Sequence, residues 1–210
     1  MTQNPLQFQK GLSLPDFLKE YGTADQCAQA LERWRWPQGF ICPRCGGQHE
    51  PVRLRTRALL QCRHCHHQAS LTAGTLFEAT KLPLATWFLA MFLLTQQQNG
   101  IAALELKRHL GVAYLTAWRI KHKLLQVMKE RDDHTPLGGV IEVDDADWGG
   151  ERHGAKPGRG SPNKVPFIAA LSCNDEGHPI GLRLGKVAGF RKTEVERFAK
   201  RHFDPNAIVL

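Results

Sequence analysis

Cys42 and Cys45, then Cys62 and Cys65, form two CxxC pairs separated by 16 residues. Thiols in this pattern bind zinc, because each pair turns the chain so that two sulfurs face one tetrahedral ion. Pro43 stiffens the first turn, and Gly46 and Gly47 follow where such a knuckle needs positive φ. Four thiolates leave no open coordination position, so the predicted Zn2+ is structural rather than catalytic. Two disulfides or four unrelated thiols are the competing explanations, and the paired spacing favours zinc over both. His64, His66 and His67 crowd the second pair, where surface or phosphate contact is their expected job.

A second group of residues could do different chemistry. Residues 140–144 read as an apolar strand ending in Asp144, with Asp145 and Asp147 close behind. Carboxylate oxygens suit hard Mg2+ or Mn2+. Two such ions, held by acids from neighbouring strands, can clamp a phosphodiester by activating the attacking oxygen and stabilising the leaving one. Aspartates after a strand are mostly turn residues, so these acids gain weight only from their surroundings.

Those surroundings are basic. The chain has 210 residues and a formal charge of +8, which points to a polyanion partner. Arg53, Arg55, Arg57 and Arg63 lie around the cysteines, and Lys107, Arg108, Arg119, Lys121 and Lys123 lie in a helical stretch. The length suits one or two domains, and 42% hydrophobic residues is a globular composition. The longest apolar run, residues 87–94, is too short to cross a bilayer, so no membrane partner is expected. Residues 1–20 show no secretory signal. With Cys27 and Cys173 unpaired in sequence, the thiols read as reduced and cytoplasmic.

The elements that must position these residues are partly legible. Residues 13–35 read as helical, with Thr23 and Gln26 forming a capping box and Cys27, Leu31 and Trp34 on an inward face. Residues 52–55 and 59–62 read as the strands of a ribbon. Residues 81–131 read as three helices: one from near Pro83 to Asn99-Gly100, a second over 102–110, and a third over 113–131. Gly111 separates the last two, which is the helix-turn-helix pattern. On the third, Ala117, Ile120, Leu124, Val127 and Met128 share one face, while Thr116, Arg119, His122 and Lys123 lie on others. A basic second helix of this kind enters the major groove of double-stranded DNA; an ordinary hairpin with a solvated basic face is the competing account. After a linker at 135–139, strands are expected at 140–144, 166–171 and 181–187, a helix at 193–203 with Val195, Phe198 and Ala199 inward, and a strand at 207–210. Asn174–Gly177 and Asp204–Asn206 read as turns.

The fold class is therefore α+β and multi-domain. An N-terminal helical segment (1–38) is followed by a zinc ribbon (39–80), a helix-turn-helix DNA-binding domain (81–134), and a mixed α/β region (138–210) in the order β-β-β-α-β.

At this point the chain resembles a known family. FICPRCGG at 40–47, QCRHC at 61–65, LTAGTLFEATKLPLATWF at 71–88, GIAALELKRHLGVAYLTAWRIKHKL at 100–124 and VIEVDDADWGGE at 140–151 carry the likeness. They are similar to insertion-sequence transposases with a zinc ribbon and an acidic catalytic triad (insertion-sequence family fifteen-ninety-five). The resemblance implies a ribonuclease H-like catalytic domain over 138–210 and a DDE-type transposase activity, metal-dependent DNA strand cleavage and strand transfer. It maps the first catalytic, magnesium-binding carboxylate to Asp144, with Asp145 as the second candidate because the family's usual Asp-Glu is Asp144-Asp145 here. Lys164, after the Gly-rich basic loop at 154–160, matches a basic residue suited to DNA phosphate; Arg53, Arg55, Arg119, Lys121, His122 and Lys123 are the other expected DNA contacts. The resemblance implies Zn2+ and Mg2+ or Mn2+ as cofactors, element ends and target DNA as partners, and leaves a homo-oligomer open. It places the remaining triad acids beyond Leu210, so the chain reads as cut off within its catalytic domain and catalytically incomplete. A DNA-binding regulator using only ribbon and helix-turn-helix is the alternative; a nucleic-acid scaffold of the translation or transcription type explains less, since it has no use for the acidic strand.

Overall fold

The computed structural model describes residues 11–54, 59–97, 100–150 and 163–210. Arg55, Arg57, Asn99, Glu151 and the Gly-rich loop at 154–160 lie outside the described residues. The chain divides into two compact units, residues 10–128 and, for the rest of the described chain, residues 129–210. Among the described residues, no helix is long and apolar enough to cross a membrane.

The first unit opens with two helices where the sequence pattern suggests one: α1 (Leu14–Tyr21) and α2 (Ala24–Arg35). The capping box explains the break. The Thr23 side chain accepts from Gln26 N at 3.3 Å, and Gln26 Oε1 accepts from Thr23 N at 3.0 Å. Thr23 is thereby held in extended geometry, which starts α2 and cannot continue α1. Cys27 and Leu31 are buried as expected, but Trp34 is 58% exposed. Its indole instead lies flat on Phe88, with centroids 5.3 Å apart and planes within 6°.

Three short strands follow: β1 (Val52–Leu54), β2 (Leu59–Gln61) and β3 (Gln68–Ser70), antiparallel in the order β1-β2-β3. The third has no counterpart in the sequence pattern, because three residues are too few to show a period. Leu60 pairs with Ala69, and both are buried beside Phe40. α3 (Leu84–Gln96) starts directly after Pro83 and is apolar nearly all round, as befits a helix at the centre of its unit. It packs among α4 (Ala103–Leu110) and α5 (Tyr114–Asp133) through Trp87, Phe88, Leu106, Ala117 and Ile120. The turn between α4 and α5 uses Gly111 at φ 65°, whose N–H donates to Lys107 O at 3.0 Å. A residue with a Cβ would be strained there. Val127 and Met128, expected on the inward face of α5, are 41% and 45% exposed; the buried stripe stops at Leu124.

The second unit is a four-stranded sheet with one helix. β4 (Val140–Trp148), β5 (Val165–Cys173) and β6 (Pro179–Lys186) are antiparallel neighbours, and β7 (Ile208–Val209) lies parallel to β4 on its other side. The spatial order is β6-β5-β4-β7. α6 (Lys192–His202) supplies Phe198, which packs with Ile141, Ile168, Ala170 and Val187. Of the residues expected inward on α6, Phe198 is buried and Val195 is 37% exposed. The Phe198 ring lies so close to β6 that a Cβ at Gly185 would collide with it.

The largest difference from the sequence reading is the length of β4. The acids do not end it at Asp144; it runs four residues further, paired without interruption from Val140↔Cys173 to Trp148↔Val165. Aspartate has low strand propensity, but a nine-residue partner strand pairs β4 along its whole length, and that outweighs propensity.

Candidate metal centre and nucleic-acid interface

Both CxxC segments adopt the same turn. Cys42 N donates to Gly47 O at 3.0 Å and Gly46 N to Cys42 O at 2.9 Å; in the second turn Cys62 N donates to His67 O at 2.9 Å and His66 N to Cys62 O at 3.1 Å. Gly46 and His66 hold the equivalent positive-φ position, at 67° and 56°. These two knuckles bring Cys42 Sγ to 3.5 Å from Cys65 Sγ and Cys45 Sγ to 3.8 Å from Cys62 Sγ, with all four sulfurs within 4.8 Å of one another. A tetrahedral zinc with Zn–S bonds of about 2.3 Å needs sulfurs about 3.8 Å apart, so the donor set fits one such ion. Among the described residues this is the one group of three or more possible donors close enough to share a metal. His49 and His64 are not among its donors; their rings lie 5.7 Å apart, tilted by 39°.

The electrostatics also call for a cation. Burial pushes the Cys42 thiol up, but the N–H groups of Cys45 and Arg44 and the neighbouring thiols more than offset this and bring it to about 6. The Cys62 thiol is lowered, chiefly by the Cys65 N–H. At Cys65 the N–H of His67 works downward, yet burial and the three facing thiols push it up to about 12. Four thiolates this close are stable together only around a positive ion.

His66 carries a side chain where its counterpart has none. A non-glycine residue in the left-handed region costs about 1–2 kcal/mol, partly offset on glycine substitution by the greater freedom of the unfolded chain. His66→Gly is therefore expected to stabilise the ribbon by about 0.5–1 kcal/mol. Gly46→Ala should do the opposite. Thermal melting of the zinc-loaded protein measures both.

The ribbon is tied to α2. Arg53 donates to both carboxylate oxygens of Glu32, at 2.6 and 3.0 Å, and Arg35 donates to Ser70 O and Leu71 O at 3.2 and 2.9 Å. Arg53, expected as a DNA contact, thus has an acid partner within the fold.

On α5, Arg119, His122 and Lys123 are exposed and Lys121 is half-buried. The Lys123 ammonium lies over the Trp87 ring, 5.7 Å from its centroid, so the charge itself meets an aromatic face of the fold. Sequence reasoning passes over the neighbours of these cations. Tyr114, Leu115 and Trp118 are 47%, 64% and 44% exposed, and Trp118 packs against His122, with centroids 4.0 Å apart and planes tilted by 45°. The signal is there to be read: Leu115 and Trp118 fall outside the Ala117–Ile120–Leu124 stripe.

In the sheet, Asp144 and Asp145 occupy opposite faces of β4. Asp144 shares its face with Glu142, Ala146 and Trp148; Asp145 and Asp147 share theirs with Ile141 and Val143. Asp144 is exposed, and its Oδ1 accepts from Asp145 N at 2.8 Å. Asp147, expected beyond the strand, is inside it. Lys164 directly precedes β5 and is half-buried.

Residues 22–68, which span α2, both knuckles and the start of β3, match the family described as the transposase zinc-ribbon domain. An uncharacterized protein in transposable element ISH50 of Halobacterium salinarum is 26% identical over 131 residues, covering 61% of this chain and 43% of that relative. The matched region is thus less than half the relative's length. No solved structure matches the chain. Ribbon geometry, the family match and the transposable-element relative agree: residues 22–68 are similar to the zinc ribbon of transposases, and the chain is similar to a protein of a transposable element.

Proposed function

We propose that the chain binds duplex DNA through a helix-turn-helix made of α4 and α5, and that its sheet is the ribonuclease H-like part of a DNA transposase with Asp144 as a catalytic carboxylate. The observation that carries the DNA reading is the left-handed Gly111 turn followed by a helix whose exposed side presents Trp118, Arg119, His122 and Lys123. Indole and cations together suit base edges and phosphates. The sheet reading is supported by three antiparallel strands with a fourth parallel to the first and by the likeness to transposable-element proteins. Lys121 and Lys164 are assigned secondary phosphate contacts, and zinc the structural role of holding the ribbon.

Mg2+ or Mn2+, when bound, would supply charge to stabilise a reacting phosphodiester. The described residues do not complete a site for it. Glu142 alone joins Asp144 as an acid on that face of β4, about 7 Å back along the strand, and no carboxylate group of three is present among the described residues. Asp144 and Glu142 by themselves therefore do not account for strand cleavage. That same observation favours, as the second reading, a DNA-binding protein whose sheet takes no part in catalysis.

The DNA reading is tested by Arg119→Ala combined with Lys123→Ala. Removing one phosphate contact should lower the salt slope of duplex binding by about one unit, so the pair should lower it by about two. Fluorescence anisotropy at several salt concentrations measures this, with circular dichroism confirming the helices. An unchanged slope would remove α5 as the DNA-contacting helix.

A further inference from the structure

Trp148 is 74% exposed, the most exposed large hydrophobic side chain among the described residues. It stands four residues beyond Asp144 in an unbroken register, hence on the same face, about 14 Å along the strand. The fold makes little use of it. The buried core lies with Ile141, Ile168 and Ala170 on the other face, and the indole touches Phe167 edge-on, with centroids 6.4 Å apart. A broad aromatic surface is left open to solvent.

One cation shares its face. Lys186 pairs with Phe167, which pairs with Ala146, so Lys186 shares the face of Asp144 and Trp148. Lys164 immediately precedes Val165, the direct cross-strand partner of Trp148, and is one residue out of phase with that face. Its place is fixed by Gly149, at φ 147°: a Cβ there would collide with Asn163 O and meet Lys164 Cα at 3.2 Å. Asn163 Nδ2 also donates to Gly150 O, holding the two segments together. The missing side chain at Gly149 is what lets the Lys164 backbone lie against the end of β4.

We propose that Trp148, with Lys186, binds an unpaired nucleotide of a DNA strand on the Asp144 face of the sheet. An open aromatic ring with a cation on the same face of the sheet matches a nucleotide: the base stacks on the ring and a phosphate meets the cation. Bases inside a duplex are already stacked on each other, so the partner is a single-stranded or frayed segment. The inference rests on the reading that this face handles DNA.

The test compares a blunt duplex with the same duplex carrying a short single-stranded overhang, by anisotropy at one salt concentration. The wild-type chain should bind the overhang form about tenfold or more tightly, the range expected for one stacked base. Trp148→Ala should remove that preference and leave blunt-duplex affinity unchanged; Trp148→Phe should restore most of it, which a merely structural role would not produce. Overturning results are equal affinity of the wild type for both DNAs, or a preference that survives Trp148→Ala. A change of sedimentation on Trp148→Ala without loss of the preference would show a protein interface instead. Failure to bind any DNA would sink the proposed function as well, whereas blunt binding through α5 without overhang preference would sink this inference alone.

Discussion

Removing zinc with a strong chelator, or replacing Cys62 by Ser, is expected to unfold the ribbon while the helices stay folded. The packed apolar content of the ribbon is Phe40, Leu60 and Ala69 with the cysteines themselves, and its strands are three residues each. That core is far smaller than a free-standing domain needs. Structural zinc contributes apparent binding energies of about 10–16 kcal/mol in comparable peptides, and there binding energy is folding energy. The helices bury a separate cluster around Phe88, Leu106 and Ile120 that does not include the ligands. Amide exchange on the zinc-loaded and chelated protein checks this. Leu60 and Ala69 should lose protection while Ile120 keeps it. Retained protection at Leu60 after complete zinc removal would show that the four sulfurs are held together by something else.

Phe198→Ala is expected to cost about 3–5 kcal/mol, which is most of the stability of a unit this size. The ring is buried, lies over the bare backbone of Gly185, and makes edge contact with Phe203 at 5.7 Å. Val195→Ala on the same helix, at a position 37% exposed, should cost under about 1 kcal/mol. Urea unfolding of the two variants measures the contrast. Equal costs would mean that α6 does not cover the sheet through Phe198.

What the sequence discloses follows from how local each signal is. The cysteine knuckles, the Thr23–Gln26 capping box and the Gly111 turn each involve residues within about five positions, and all three are present in the structure. Where tertiary pairing decides, sequence reasoning falls short. β4 reads as ending at Asp144 because aspartates break strands in isolation, but the nine residues of β5 carry it to Trp148. β3 has no period to detect. Trp34 obeys helical spacing, yet its ring lies across Phe88 at the surface rather than beneath it. Arg53 reads as a DNA contact from charge alone, and only the fold shows Glu32 within 2.6 Å. Trp148 falls within the acidic motif at 140–151, but its placement on the same face as Asp144 depends on the strand continuing.

The central claim is that α5 is the DNA-contacting helix. Hydrogen exchange of the zinc-loaded chain, with and without a saturating duplex, tests it most directly. Added DNA is expected to slow exchange in the segment from Tyr114 to Lys123 and in the Gly111 turn before it, and to leave Ile168 and Ala170, already deep in the second unit's core, unchanged. Binding that leaves Tyr114 to Lys123 unaltered would contradict the account.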